Sequence, residues 1–170
     1  MNNPTVELHI AEHGVITLEL DAEKSPLTVA NFIKNVENAH YNHTVFHRII
    51  PGFMIQGGGF APGMKQKESN ETIENEAQNG LKNDHYTVAM ARTSEPHSAG
   101  AQFFINVADN DFLNHTSPTP SGWGYAVFGK VIKGQDIVDS LSKVKTSRSG
   151  FHDDVPKEEV LLEKVVLIAA

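Results

Sequence analysis

Residues 44–59, TVFHRIIPGFMIQGGG, decide how the chain is read. Thr44, Val45, Phe46, Ile49 and Ile50 are β-branched or aromatic, so 44–50 reads as a strand. Pro51-Gly52 supplies a turn, and 53–56 forms a second short strand that runs into Gly57-Gly58-Gly59. The glycines lack a following Lys-Ser/Thr and lack GxGxxG spacing, which excludes a phosphate loop and a dinucleotide fingerprint. They read as a tight bend or a close backbone approach. Strand alternation turns Arg48 away from His47 and gives Met54 and Gln56 a common face; Gln102 and Phe104 share a face in the same way.

On the N-terminal side, Val6, Leu8 and Ile10 alternate with more polar residues, and so do Ile16, Leu18 and Leu20. With Glu12, His13 and Gly14 between them, the two segments read as an antiparallel hairpin. Ser25-Pro26 starts a helix over 26–38, with the Ser25 hydroxyl as cap and Val29, Phe32, Ile33 and Val36 as its apolar stripe. On the C-terminal side, 61–85 has weak periodicity and reads as a long surface loop with some local structure. Strands follow at 86–91, 102–107 and 125–131, with a turn-rich loop at 117–124. Residues 134–143 read as a second helix with Ile137, Val138 and Leu141 inward, and 160–168 as a closing strand. Seven or eight antiparallel strands and two helices suggest a mainly β, closed barrel, because closure removes exposed edges. Periodicity alone equally allows a sandwich with flanking helices.

The 170 residues show no repeat or linker, so 1–170 is expected to form a single domain. A net charge of -7 gives no general attraction to nucleic acid or to an anionic membrane. The absence of cysteine excludes disulfides and thiol chemistry and fits the cytoplasm. The first twenty residues carry charges and a glycine where a signal peptide needs an apolar stretch. No segment approaches the roughly 20 apolar residues that span a bilayer. A cytoplasmic monomer is the expectation. The histidines at 43 and 47 lack the glutamate of a zinc-protease motif, no GxSxG elbow occurs, and neither metal nor cofactor is expected.

The segment 45–58, VFHRIIPGFMIQGG, resembles the signature of the cyclophilin family, and AQFFIN at 101–106 and AVFGKV at 126–131 match in order and spacing. The likeness covers nearly the whole chain and leans to the bacterial branch. It implies an eight-stranded antiparallel β-barrel capped by two α-helices. It also implies rotation about X-Pro peptide bonds, with proline-containing peptides and unfolded or folding proteins as partners. By this resemblance Arg48 is the catalytic arginine, with Phe53 and Gln56 beside it in the catalytic set. Phe53, Met54, Phe104 and Leu113 match the proline pocket, Gln56 and Gln102 the orienting polar groups, and Ala91 and Arg92 the segment that takes the peptide backbone. Phe112 stands where many eukaryotic members carry Trp, and Tyr125 where many carry His. The Phe112 change argues against tight cyclosporin binding and leaves weak binding as the expectation.

The residue types suit such a reaction independently of the family. Turning an X-Pro bond breaks no covalent bond, so neither nucleophile nor proton shuttle is needed. A fixed arginine can donate to the prolyl nitrogen once twisting has localised its lone pair. The alternative is a proline-peptide binding module that uses the same groove without catalysis.

Overall fold

A computed structural model describes residues 3–67 and 71–169, so the 68–70 part of the 61–85 segment lies outside the described residues. The strands, in chain order, are β1 (Thr5–Ile10), β2 (Gly14–Leu20), β3 (Thr44–Val45), β4 (Arg48–Ile50), β5 (Met54–Gly57), β6 (Phe60–Ala61), β7 (Lys65–Gln66), β8 (Thr87–Met90), β9 (Phe103–Asn106), β10 (Val127–Lys133), β11 (Thr146–Ser149), β12 (His152–Pro156) and β13 (Leu161–Ala169). The helices are α1 (Pro26–Glu37) and α2 (Gln135–Leu141).

The N-terminal alternation becomes the expected hairpin, with Val6 opposite Leu18 and Leu8 opposite Ile16. All four side chains are fully buried, because every second residue of each strand faces the core. β1 pairs on its other side with β13, and β2 with β10. The buried faces of these strands meet α1 through Val29, Phe32 and Val36, and α2 through Val138 and Leu141. At the centre the Phe32 ring lies 5.0 Å from Tyr41, 5.5 Å from Phe103 and 5.1 Å from Phe128.

The closed eight-stranded barrel does not form. Eleven strands make one antiparallel sheet in the order β4-β5-β9-β8-β10-β2-β1-β13-β3-β6-β7, with β11 and β12 as a separate hairpin. Among the described residues no ladder joins the end strands β4 and β7, so the sheet is a curled, open half-barrel. The physical cause lies in the segment 44–50, which does not run as one strand. The Phe46 amide donates to Val160 O at 3.0 Å, and pairing then lapses through His47. The segment therefore splits into β3, near one end of the sheet, and β4, at the other. Both edge strands are short, three residues in β4 and two in β7, which limits the unpaired backbone they offer.

The local structure expected in the 61–85 segment takes a definite form. It completes β6, forms β7 and makes a 3-10 turn at Ala77–Asn79. Its Glu76 corrects the reading of the α1 start. Ser25 makes no capping bond; its Oγ donates instead to Val127 O at 2.7 Å. Glu76 takes the capping role from 48 residues away, accepting from the Thr28 amide at 2.7 Å, the Thr28 hydroxyl at 2.6 Å and the Leu27 amide at 3.2 Å. A carboxylate there satisfies otherwise orphaned amides and complements the helix dipole. Glu76→Ala is expected to cost about 1–2 kcal/mol, seen as a lower urea midpoint. An unchanged midpoint would show that the cap carries no stability.

Strand alternation gives the sheet a second, outward apolar face. On β4, β5, β8 and β9, Ile49, Ile55, Val88, Met90, Phe103 and Ile105 enter the main core. Met54, Ala89, Phe104 and Val127 point the other way and gather with Leu113 into a separate buried cluster. That cluster is the floor of the site described next.

Candidate active site

Three antiparallel strands bring the sequence-predicted residues together. Arg48 on β4 lies opposite Gln56 on β5, and Gln56 lies opposite Phe104 on β9. Arg48 is exposed, and its Nη1 reaches Gln56 Oε1 at a long 3.4 Å. The Gln56 Nε2 in turn donates to Gln102 Oε1 at 2.9 Å. The Gln56 amide is therefore oriented at both ends, and among the described residues Gln102 Nε2 keeps a donor for a guest. Next to this row opens a cavity of about 120 Å³, lined by Arg48, Phe53, Met54, Gln56, Ala91, Arg92, Phe104, Leu113 and Tyr125. Met54, Phe104 and Leu113 are buried and make its base; Phe53 reaches it from the end of the turn, outside the strand.

The surrounding polar structure holds this cavity in shape. Asn83, Asn106 and Asn110 are buried and bonded to one another: Asn106 Nδ2 donates to Asn83 Oδ1 at 3.0 Å, and Asn110 Nδ2 to Asn106 Oδ1 at 2.8 Å. Asn83 Nδ2 also donates to the carbonyls of Leu113 and Tyr125, both at 3.2 Å, and Asn110 Nδ2 to that of Phe53 at 2.9 Å. Three residues of the cavity wall are thus tied by their backbones to one satisfied network, which rigidifies them. Arg92 is fixed separately. Its Nε donates to Gly124 O at 2.9 Å, and its guanidinium lies 4.5 Å from the centre of the Tyr125 ring.

The glycine run has a local purpose here. Gly58 has φ of 89°, a conformation that side chains rarely tolerate. At Gly59 a Cβ would clash with the Gln102 side chain. The bare backbone at 59 therefore makes the room that Gln102 needs to reach Gln56.

Two expected residues sit outside the small cavity. Phe112 is 73% exposed and stacks on Phe53, ring centres 5.6 Å apart, without entering the lining. Gln102 lines a neighbouring cavity of about 390 Å³, which shares Gln56, Ala91 and Arg92 with the first and extends it into a groove. Its far wall, including Gln66, Lys67, Thr72, Thr93 and Ser98, was not singled out from sequence. Gln66, Lys67 and Thr72 lie in a segment of weak periodicity whose one sequence signal was its length, 61–85; Thr93 and Ser98 lie beyond it. His47, next to Arg48, faces elsewhere: it is buried, its ring centre is 4.4 Å from that of Phe60, and Nδ1 has no hydrogen-bond partner among the described residues.

Residues 5–167 match the family described as cyclophilin type peptidyl-prolyl cis-trans isomerase/CLD. The chain is 58% identical over 164 residues to peptidyl-prolyl cis-trans isomerase cyp18 of Streptomyces antibioticus, covering 96% of this chain and 98% of that protein. It is 57% identical over 155 residues to peptidyl-prolyl cis-trans isomerase B of Escherichia coli (strain K12), covering 91% and 94%. Among solved structures, the cyclophilin type peptidyl-prolyl cis-trans isomerase of Cryptosporidium parvum superposes with a TM-score of 0.81 at 28% identity, covering 99% of each chain. The chain belongs to the cyclophilin-type peptidyl-prolyl cis/trans isomerase family. It is an isomerase of X-Pro peptide bonds, and it binds proline-containing peptides and proteins.

Proposed function

We propose that Arg48 catalyses the rotation, with the prolyl ring seated against Phe53, Met54, Phe104 and Leu113. Amide resonance sets a barrier of about 18–20 kcal/mol to turning a peptide bond. Catalysis requires that the twisted form be held better than either planar form. When the bond twists, the prolyl nitrogen regains its lone pair and becomes an acceptor. The Arg48 guanidinium, standing at the rim of an apolar cavity, donates to it only at that stage. Burying about three methylenes of the ring contributes roughly 2 kcal/mol to binding. That term holds the proline still while the preceding carbonyl swings. Gln56 and Gln102 orient that carbonyl and the flanking backbone, Ala91 and Arg92 take the peptide main chain, and Phe112 and Tyr125 form the rim.

The observation that carries this reading is the convergence of a positive donor and an apolar, proline-sized cavity on one outward face of β4, β5 and β9. No proton is transferred in such a mechanism, and the residues lining the small cavity include neither histidine nor carboxylate. Turnover of a proline peptide is therefore expected to stay flat between about pH 6 and pH 8. A bell-shaped profile in that range, measured by exchange spectroscopy, would contradict it. The same reading treats residues 1–170 as one functional unit acting as a monomer in the cytoplasm, a compartment that the cysteine-free composition fits. No helix among the described residues is long and apolar enough to cross a membrane. Weak cyclosporin binding belongs to the reading as well, with the exposed Phe112 as the rim residue that limits it.

A further inference from the structure

A cavity of about 340 Å³ opens between β3, the turn at Gly63-Met64 and the β11–β12 hairpin, and it shares no residue with the groove. Consecutive residues face the two places: Arg48 lines the proline cavity and His47 lines this one. The walls are apolar at Val45, Met64 and Val155 and cationic at Arg148 and Lys157, with the hydroxyl-bearing Ser149 between the two cations along the chain. The Lys157 ammonium has no hydrogen-bond or ion-pair partner among the described residues. Arg148 uses Nε alone, towards Gly150 O at 3.0 Å and Asp153 Oδ1 at 3.8 Å. Its Nη groups remain open among the described residues. Among the described residues the one carboxylate in the lining, Glu159, already accepts from the Gly63 amide at 2.7 Å. His47 is 6% exposed, and its Nδ1 has no hydrogen-bond partner among the described residues.

The Lys157 ammonium and the open Nη groups of Arg148, beside a Glu159 carboxylate that is already engaged, give this recess cationic donors suited to an anion. The volume and the apolar walls exceed what a small inorganic ion would fill. We propose that this recess binds a carboxylate-bearing peptide segment, with the carboxylate on Arg148, Lys157 and Ser149 and the apolar body against Val45, Met64 and Val155. Arginine suits the planar carboxylate through paired donors, and lysine adds a point charge. The site would hold an acidic stretch of a client on the far side of the strand that presents Arg48.

The test is calorimetric titration of the intact protein with an acetylated, proline-free Leu-Glu-Asp-Leu peptide. The peptide is used as free acid and as carboxyl amide, and inorganic phosphate is a third titrant. Saturable binding of at least one peptide is expected, weakened at least about tenfold by the double change Arg148→Glu and Lys157→Glu. Both positions are exposed and outside the groove, so isomerase turnover should not change; Lys157→Ala alone should weaken binding in the same direction. Ring resonances of His47 should shift on binding, while the Gln102 amide should not. If the amide binds as well as the acid, the ligand is an acidic side chain; if only the acid binds, it is a chain end. Either result upholds the site. Absence of saturable binding, equal affinity in the double variant, or phosphate binding as tightly as the peptide would overturn it.

Discussion

Arg48→Ala is expected to lower kcat/KM for a proline peptide roughly 100-fold, a loss of about 2.7 kcal/mol of transition-state stabilisation. The magnitude follows from removing a pre-positioned, charged donor that no neighbour replaces. Gln56 and Gln102 are neutral, and Arg92 is held away by Gly124 and Tyr125. The fold should survive, because Arg48 is exposed and its recorded side-chain bond is the 3.4 Å contact to Gln56. Thermal unfolding should therefore be nearly unchanged while turnover collapses. Arg48→Lys should recover part of the loss at most, since a point charge cannot reproduce the planar array of donors. A folded alanine variant with wild-type turnover would remove Arg48 from the mechanism.

The second large effect is acid destabilisation through His47. Burial first, and then the charges of His152 and Arg48, push its pKa from 6.5 down to about 4. Between those values the unfolded chain binds the proton and the folded protein does not, so folding is opposed there. Stability is complete above pH 6.5 and falls as the pH drops towards 4, by about 3 kcal/mol in all. The ring packs on Phe60, and among the described residues its Nδ1 lacks a partner to offset the burial of charge. Urea midpoints at pH 7 and near pH 4.5 should diverge strongly for the native chain and much less for His47→Phe, which keeps an aromatic against Phe60. Equal pH dependence in the two proteins would show that another group governs the acid limb.

Much of the fold was readable because it rests on local periodicity. The hairpin of β1 and β2, the apolar stripe of α1 and the opposite facing of Arg48 and His47 all follow from spacing alone. The break inside 44–50 was not readable. Thr44 to Ile50 has the composition of a continuous strand, yet it pairs first with β13 and, after a lapse at Phe46-His47, resumes at Arg48 beside β5. The sheet stays open at that break, and so the expected closure failed with it. The hairpin of β11 and β12 was missed because its residues, charged and hydroxyl-bearing, carry little apolar alternation. Ser25 followed the usual capping pattern, yet Glu76 reaches α1 from a distant segment. At the site, Arg48, Met54, Gln56 and Phe104 lay on predictable faces, whereas the Asn83, Asn106 and Asn110 network looked like scattered polar residues until folding brought it together.

The most direct test is a crystal structure of the protein with an Ala-Pro-containing peptide bound. The account predicts the prolyl ring in the cavity formed by Phe53, Met54, Phe104 and Leu113, with an Arg48 guanidinium nitrogen roughly 3 Å from the prolyl nitrogen. A ring seated elsewhere, with that guanidinium turned to bulk water, would contradict it.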